Sequence, residues 1–172
     1  TGFLDLYISM ENLNRFYEKN ELLLSEITNH PFYPNQFILL KDALGGKSSA
    51  IGIVDKTGKR LKKLVFQHDH VWGIQPRNVQ QTMAFELLMR HDIQLVTLIG
   101  KAGTGKTLLA LAAGLMQTED MESYKKLLVA RPIVPMGKDI GFLPGEKEEK
   151  LRPWMQPIWD NLEYLFNTKK AG

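Results

Sequence analysis

The chain has 172 residues, 44% hydrophobic and 24% charged, a composition that excludes a disordered or fibrous chain and lets a core form without staples. Having no cysteine, it cannot carry a disulfide scaffold, a thiolate metal site or a cysteine nucleophile. No apolar run approaches the ~20 residues of a membrane span, and the charge balance of 22 basic against 19 acidic residues is only mildly positive.

In chain order, the segment TGFLDLYISMENLN has neither a basic leader nor an initiator methionine, so it reads as the interior of a longer, cytoplasmic protein. Phe3 to Ile8 is β-rich. Ser9, followed by Glu11 and Asn12, predicts a helix cap, with Leu13, Phe16 and Tyr17 forming one helical face. Asn29-His30-Pro31 and Tyr33-Pro34-Asn35 break the chain before a strand at Phe37 to Leu40, and Gly45-Gly46 turns it again. Ala50 to Val54 and Leu61 to Phe66 flank Asp55 to Lys59 as a hairpin with a glycine in its turn. Five of the 22 basic residues, Lys56, Lys59, Arg60, Lys62 and Lys63, fall within eight positions there. Such a cluster reads first as a solvated edge strand kept from aggregating, and second as a sequence-blind contact with a phosphate backbone such as that of single-stranded RNA.

Beyond Val71-Trp72-Gly73 the texture changes to alternating helix and strand. Val79, Met83 and Leu87 place an amphipathic helix at Asn78 to Arg90. Leu95 to Ile99 and Leu127 to Ala130 read as strands buried on both faces, and Thr107 to Gln117 as an apolar helix. Glu146 to Lys150 alternates in sign like a solvated helix start. Ile158, Leu162, Leu165 and Phe166 belong to the last helix, with Pro153 and Pro157 near its entry. The expected fold is α/β: a small β-rich connector with a helical insert over 1–71, then an incomplete doubly wound parallel sheet over 72–172.

Gly100-Lys101-Ala102-Gly103-Thr104-Gly105-Lys106-Thr107 satisfies G-x-x-x-x-G-K-[ST] in full. Gly100, Gly103 and Gly105 allow positive φ and let backbone N–H groups close on phosphate oxygens. The following helix adds its positive dipole end. Lys106 is the charge for the terminal phosphates of ATP or ADP, and Thr107 offers its hydroxyl to Mg²⁺. Lys101 is expected to be solvated. No apolar run ending in an acid follows the loop: Leu127 to Ala130 ends in Arg131-Pro132. Upstream, Asp55 ends Ile51 to Val54 but opens a turn. The chain alone is therefore expected to be catalytically incomplete.

The segments GIQPRNVQQTMAFELL, VTLIGKAGTGKTLLALAAGL and LVARPIVPMGKDIGFLPGEKEEKLRPWMQPIWDNL carry a resemblance. Trp72 to Asp160 is similar to PhoH-like P-loop ATPases, of the type that follows a PIN ribonuclease domain. The resemblance implies a cytoplasmic ATP-binding protein, ATP-dependent RNA unwinding and cleavage in the two-domain parent, and a hexameric ring. A PIN domain would precede Thr1, and the family's Asp-Glu strand and later arginine would follow Gly172, so the chain reads as a middle fragment. Asn78 and Gln81 resemble the glutamine element that reads adenine in related helicases, Gln81 being preferred to Gln80; helix capping by Asn78 is the plainer alternative.

Arg131-Pro132 could face nucleic acid or a neighbouring subunit's phosphates. Trp154 and Trp159 suit a core or interface better than base stacking. The four histidines, His30, His68, His70 and His91, form no metal set. Two other functions share the loop: a P-loop kinase acting on a small molecule, and an assembly module that holds ATP without hydrolysing it.

Overall fold

The computed structural model describes residues 2–66, 70–132 and 147–170, with backbone alone for 147–151, 153 and 154. The chain forms two compact units, Thr1–Gln67 and His68–Gly172.

The first unit is a five-stranded mixed sheet with one helix against it. Its strands are β1 Phe3–Ile8, β2 Glu21–Leu23, β3 Phe37–Asp42, β4 Ser49–Val54 and β5 Arg60–Lys63, in the order β1-β3-β4-β5-β2. β1 and β3 run parallel; the other pairs are antiparallel. Helix α1, Met10–Lys19, starts where the sequence requires, because the Ser9 hydroxyl accepts the Asn12 N–H. It ends on Asn20 in the left-handed region, φ +57°, a conformation asparagine tolerates better than most residues. Leu13 and Phe16 pack with Ile38, Leu40, Val54 and Leu61, all drawn from one face of the sheet. Tyr17, assigned to the same helical face, is instead 51% exposed.

In the hairpin, Gly58 takes φ +72°. Burial pushes the Asp55 carboxyl up, but the Thr57 hydroxyl and the N–H groups of Arg60, Lys59 and Thr57 together bring it below the usual carboxylate range. Asp55 is thus a turn residue. Two expectations need correcting. β5 ends at Lys63 rather than Phe66, and it is no edge strand, since β4 and β2 flank it. The short strand β2, absent from the sequence reading, supplies the second neighbour.

The second unit contains α2 Val79–Leu88, α3 Lys106–Leu115 and α4 Lys147–Lys170. α2 was expected to bury a stripe at Val79, Met83 and Leu87. It instead buries the consecutive residues Met83, Ala84, Phe85 and Glu86 while Val79 is 41% exposed. Four successive residues span the whole circumference, so this stretch is enclosed on every side. α3 passes into a single π-helical segment, Met116–Asp120. Gln117 ties it to α2 by donating to the Leu88 carbonyl at 3.1 Å, and donates within its own helix to the Ala113 carbonyl at 3.0 Å. Pro153 and Pro157 both fall inside α4, past its first turn.

α4 is fixed by its last turns. Leu165 is fully buried and Ile158 nearly so. Phe166 meets the Trp72 ring edge-on, with Lys169 Nζ 3.5 Å from the centre of that ring. Gly73, at φ +75°, lies so close that a Cβ would stand 3.2 Å from Thr168 Cγ2.

Neither Leu95–Ile99 nor Leu127–Ala130 is a strand in this structure, and neither is buried: Leu95, Ile99 and Leu128 are 84%, 93% and 79% exposed. A strand exists through its ladder, and among the described residues these segments have no pairing partner, either in each other or elsewhere. Leu127 leans on α3, filling the space at Gly114 where a Cβ would stand 2.6 Å from Leu127 Cδ1.

Candidate functional site

The loop Gly100–Thr107 leads into α3, and its shape is held by its own atoms. Thr104 Oγ1 donates to the Lys101 carbonyl at 2.9 Å. Lys106 Nζ donates to the Gly100 and Lys101 carbonyls at 2.8 and 2.7 Å and lies 3.4 Å from Thr104 Oγ1. The ammonium thus lies inside the loop, on oxygens that an anion can replace.

Gly103 and Gly105 adopt φ +77° and +85°, which L side chains rarely tolerate. Gly100 does not adopt a positive φ, contrary to expectation. Its glycine is explained by space, because a Cβ there would come within 3.2 Å of Thr104 Oγ1.

Helix α3 differs from its neighbours at the N-terminus. α1 and α2 are capped by the side chains of Ser9 and Asn78, whereas α3 begins on Gly105 with no side-chain cap. Its first N–H groups are therefore donors without a side-chain acceptor, at the positive end of the dipole. This is the fit expected for a phosphate group. Thr107, exposed in the first turn, makes no hydrogen bond through its hydroxyl among the described residues. Those residues include no cluster of three or more acidic or histidine side chains able to hold a metal ion. A Mg²⁺ ion here would depend on Thr107 and phosphate oxygens.

Gln81 connects this loop to α2. Its Oε1 accepts the Arg77 N–H at 2.8 Å, and its Nε2 donates to the Thr104 carbonyl at 3.4 Å. Asn78 caps α2, with Oδ1 accepting the Gln81 N–H at 2.9 Å. The amide pair therefore divides its work: Asn78 stabilises the helix, and Gln81 reaches the loop. Gln80, also in α2, is exposed.

Beside Gly103–Gly105 a cavity of about 620 Å³ opens toward Ile74 and Gln75, with Asp160, Asn161 and Tyr164 of α4 on its far wall. The sequence reading did not single out these α4 residues. Their spacing, i, i+1 and i+4, marked a shared helical arc, but nothing in the sequence said that the arc would face the loop.

Lys101 and Ala102 are exposed in the loop, as are Arg131 and Pro132 in their own segment. Trp159 is 56% exposed and belongs to no core; the Trp154 side chain lies outside the described residues, as do His68 and the Gly141 to Gly145 run. His30 packs on Phe32 and His91 on Tyr124, while His70 borders the cavity.

In the hairpin, Arg60 pairs with Glu21, and Lys62 stands directly opposite Glu21 in the ladder. Lys63 lies on the other sheet face, that of Leu61. The five cations do not form one stripe.

A glycine-rich loop that opens an uncapped helix, with its lysine folded back over the loop, marks the P-loop class of phosphate-binding proteins. Residues 73–172 match the family model described as PhoH-like protein, and the chain belongs to that family, one of P-loop ATPases. It is 70% identical over its whole length to Protein PhoH2 of Bacillus subtilis (strain 168), covering 39% of that protein. It is 35% identical over 96% of its length to Protein PhoH2 of Mycolicibacterium smegmatis, covering 36% of it. A PhoH-like protein of Bacillus subtilis is 37% identical over 52% of this chain and 27% of its own length. The chain thus spans well under half of these curated relatives. No solved structure matches it. No helix among the described residues is long and apolar enough to cross a membrane.

Proposed function

We propose that this chain is the nucleotide-holding part of a larger PhoH-like ATPase, binding ATP or ADP with Mg²⁺ at Gly100–Thr107. The observation that carries the reading is the uncapped N-terminus of α3 behind a loop whose lysine is held only by replaceable oxygens. On binding, the N–H groups at Gly105 to Thr107 take phosphate oxygens and Lys106 moves its charge onto the terminal phosphates. Thr107 would hold a Mg²⁺ ion through its hydroxyl, and the ion would supply charge to offset that of the phosphates. Gln81 presents its amide to the base edge while keeping Thr104 in register.

In this reading 95–99 and 127–130 are inner strands of a doubly wound parallel sheet, and the rest of the longer protein supplies their ladder partners. The acid that orients the attacking water lies there too. This chain should therefore bind Mg-ATP at one site yet release phosphate no faster than its Lys106→Ala variant. Turnover well above that variant would contradict the reading.

The parent protein couples hydrolysis to RNA unwinding and processing in the cytoplasm, as a hexameric ring. The similarity to the PIN-linked type supports this, together with the basic hairpin. With Arg60 already paired to Glu21, Lys59 and Lys62 are the cations offered to RNA phosphates. Each such contact adds roughly 0.7 to the log–log salt slope for single strands. Replacing both lysines by glutamine should flatten the slope of RNA binding by about 1.4 and leave ATP affinity intact. Equal slopes in variant and parent would reduce the hairpin to a solvated turn.

A further inference from the structure

We propose that the cavity between the loop and α4 takes the nucleoside end of the bound nucleotide, its base stacked on Tyr164 and its ribose against Asp160 and Asn161. The proposal rests on the phosphate-holding reading of the loop, and adds the wall that reading lacks.

Size and continuity come first. The cavity begins at Gly103–Gly105, where the phosphates would end, and its volume of about 620 Å³ lies within the range of small-molecule sites. A phosphate chain needs no apolar surface. This cavity has some, because the buried Ile74 and Leu109 form part of its lining. An aromatic base is the portion of a nucleotide that such a wall suits.

The α4 residues supply the rest. Tyr164 is half exposed, and its hydroxyl makes no hydrogen bond among the described residues. Among the described residues no other aromatic ring pairs with it, so its half-exposed ring can meet a base, and stacking is tolerant of base identity. Asp160 Oδ1 accepts from Gln156 Nε2 at 2.7 Å, which fixes the carboxylate; its second oxygen has no partner among the described residues and suits a ribose hydroxyl. Asn161 donates to the Pro157 carbonyl at 2.5 Å, leaving its amide oxygen as an acceptor. The Gln75 and Gln81 amides line the same space. Amides both donate and accept, as does the edge of a base. The arc carrying these groups adjoins the stripe of Ile158 and Leu165 that anchors α4, so helix packing holds them in place.

The experiment compares ATP with inorganic tripolyphosphate, each with Mg²⁺, by calorimetric titration of the whole chain and its Tyr164→Ala and Tyr164→Phe variants. The wild type should bind ATP more tightly than tripolyphosphate. Tyr164→Ala should weaken ATP about tenfold and leave tripolyphosphate unchanged, while Tyr164→Phe should restore ATP binding. Unchanged ATP affinity in Tyr164→Ala, or an equal loss for both ligands, overturns this proposal and leaves the loop reading standing. A wild-type chain that binds neither ligand overturns both.

Discussion

Lys106→Ala should weaken Mg-ATP binding by about a hundredfold, the scale for removing one partner of a close charge pair. Within the loop, Lys106 is the cation that already reaches inward, and its three oxygen partners are all loop atoms. Exchanging those oxygens for a phosphate costs little, since donors and geometry are kept. Without the ammonium, the terminal phosphates face backbone dipoles alone. The variant should fold normally, because the lost bonds tie the loop only to itself. Titration with a fluorescent ATP analogue measures the effect, and thermal unfolding serves as the control. Wild-type affinity in a folded variant would show that the loop does not cradle phosphate.

The second large effect concerns the scaffold of the site. Phe85 is fully buried in the enclosed stretch of α2, so Phe85→Ala should cost about 3–5 kcal/mol. α2 also carries Gln81, so loosening it should loosen the loop's support. All three tryptophans, Trp72, Trp154 and Trp159, belong to the second unit. Urea unfolding followed by tryptophan fluorescence therefore reads this unit rather than the sheet of the first. A loss below about 1 kcal/mol would mean that α2 is not the packed element described here.

Local signals in the sequence translated well into structure. The Ser9 and Asn78 caps, the turn glycine at Gly58 and the positive φ at Gly103 and Gly105 each depend on residues a few positions apart. What depends on distant partners was hidden. β2 is only three residues long and is a strand because β5 lies beside it, and that pairing also makes β5 an inner strand. Leu95–Ile99 and Leu127–Ala130 have strand composition, but composition supplies no ladder. The cavity shows the same limit. The loop was legible as a motif, whereas Asp160, Asn161 and Tyr164 became relevant only when α4 packed beside α3.

The central claim is that the backbone of Gly103 to Thr107 receives the phosphates, and the most direct measurement follows those amides. In ¹⁵N-labelled protein, adding Mg-ATP should shift the amide resonances of Gly103, Gly105, Lys106 and Thr107 together, saturating at one equivalent. Lys106→Ala should require about a hundredfold more nucleotide to bring about those shifts. Saturable binding that leaves the four amides unmoved and perturbs residues elsewhere would contradict the account.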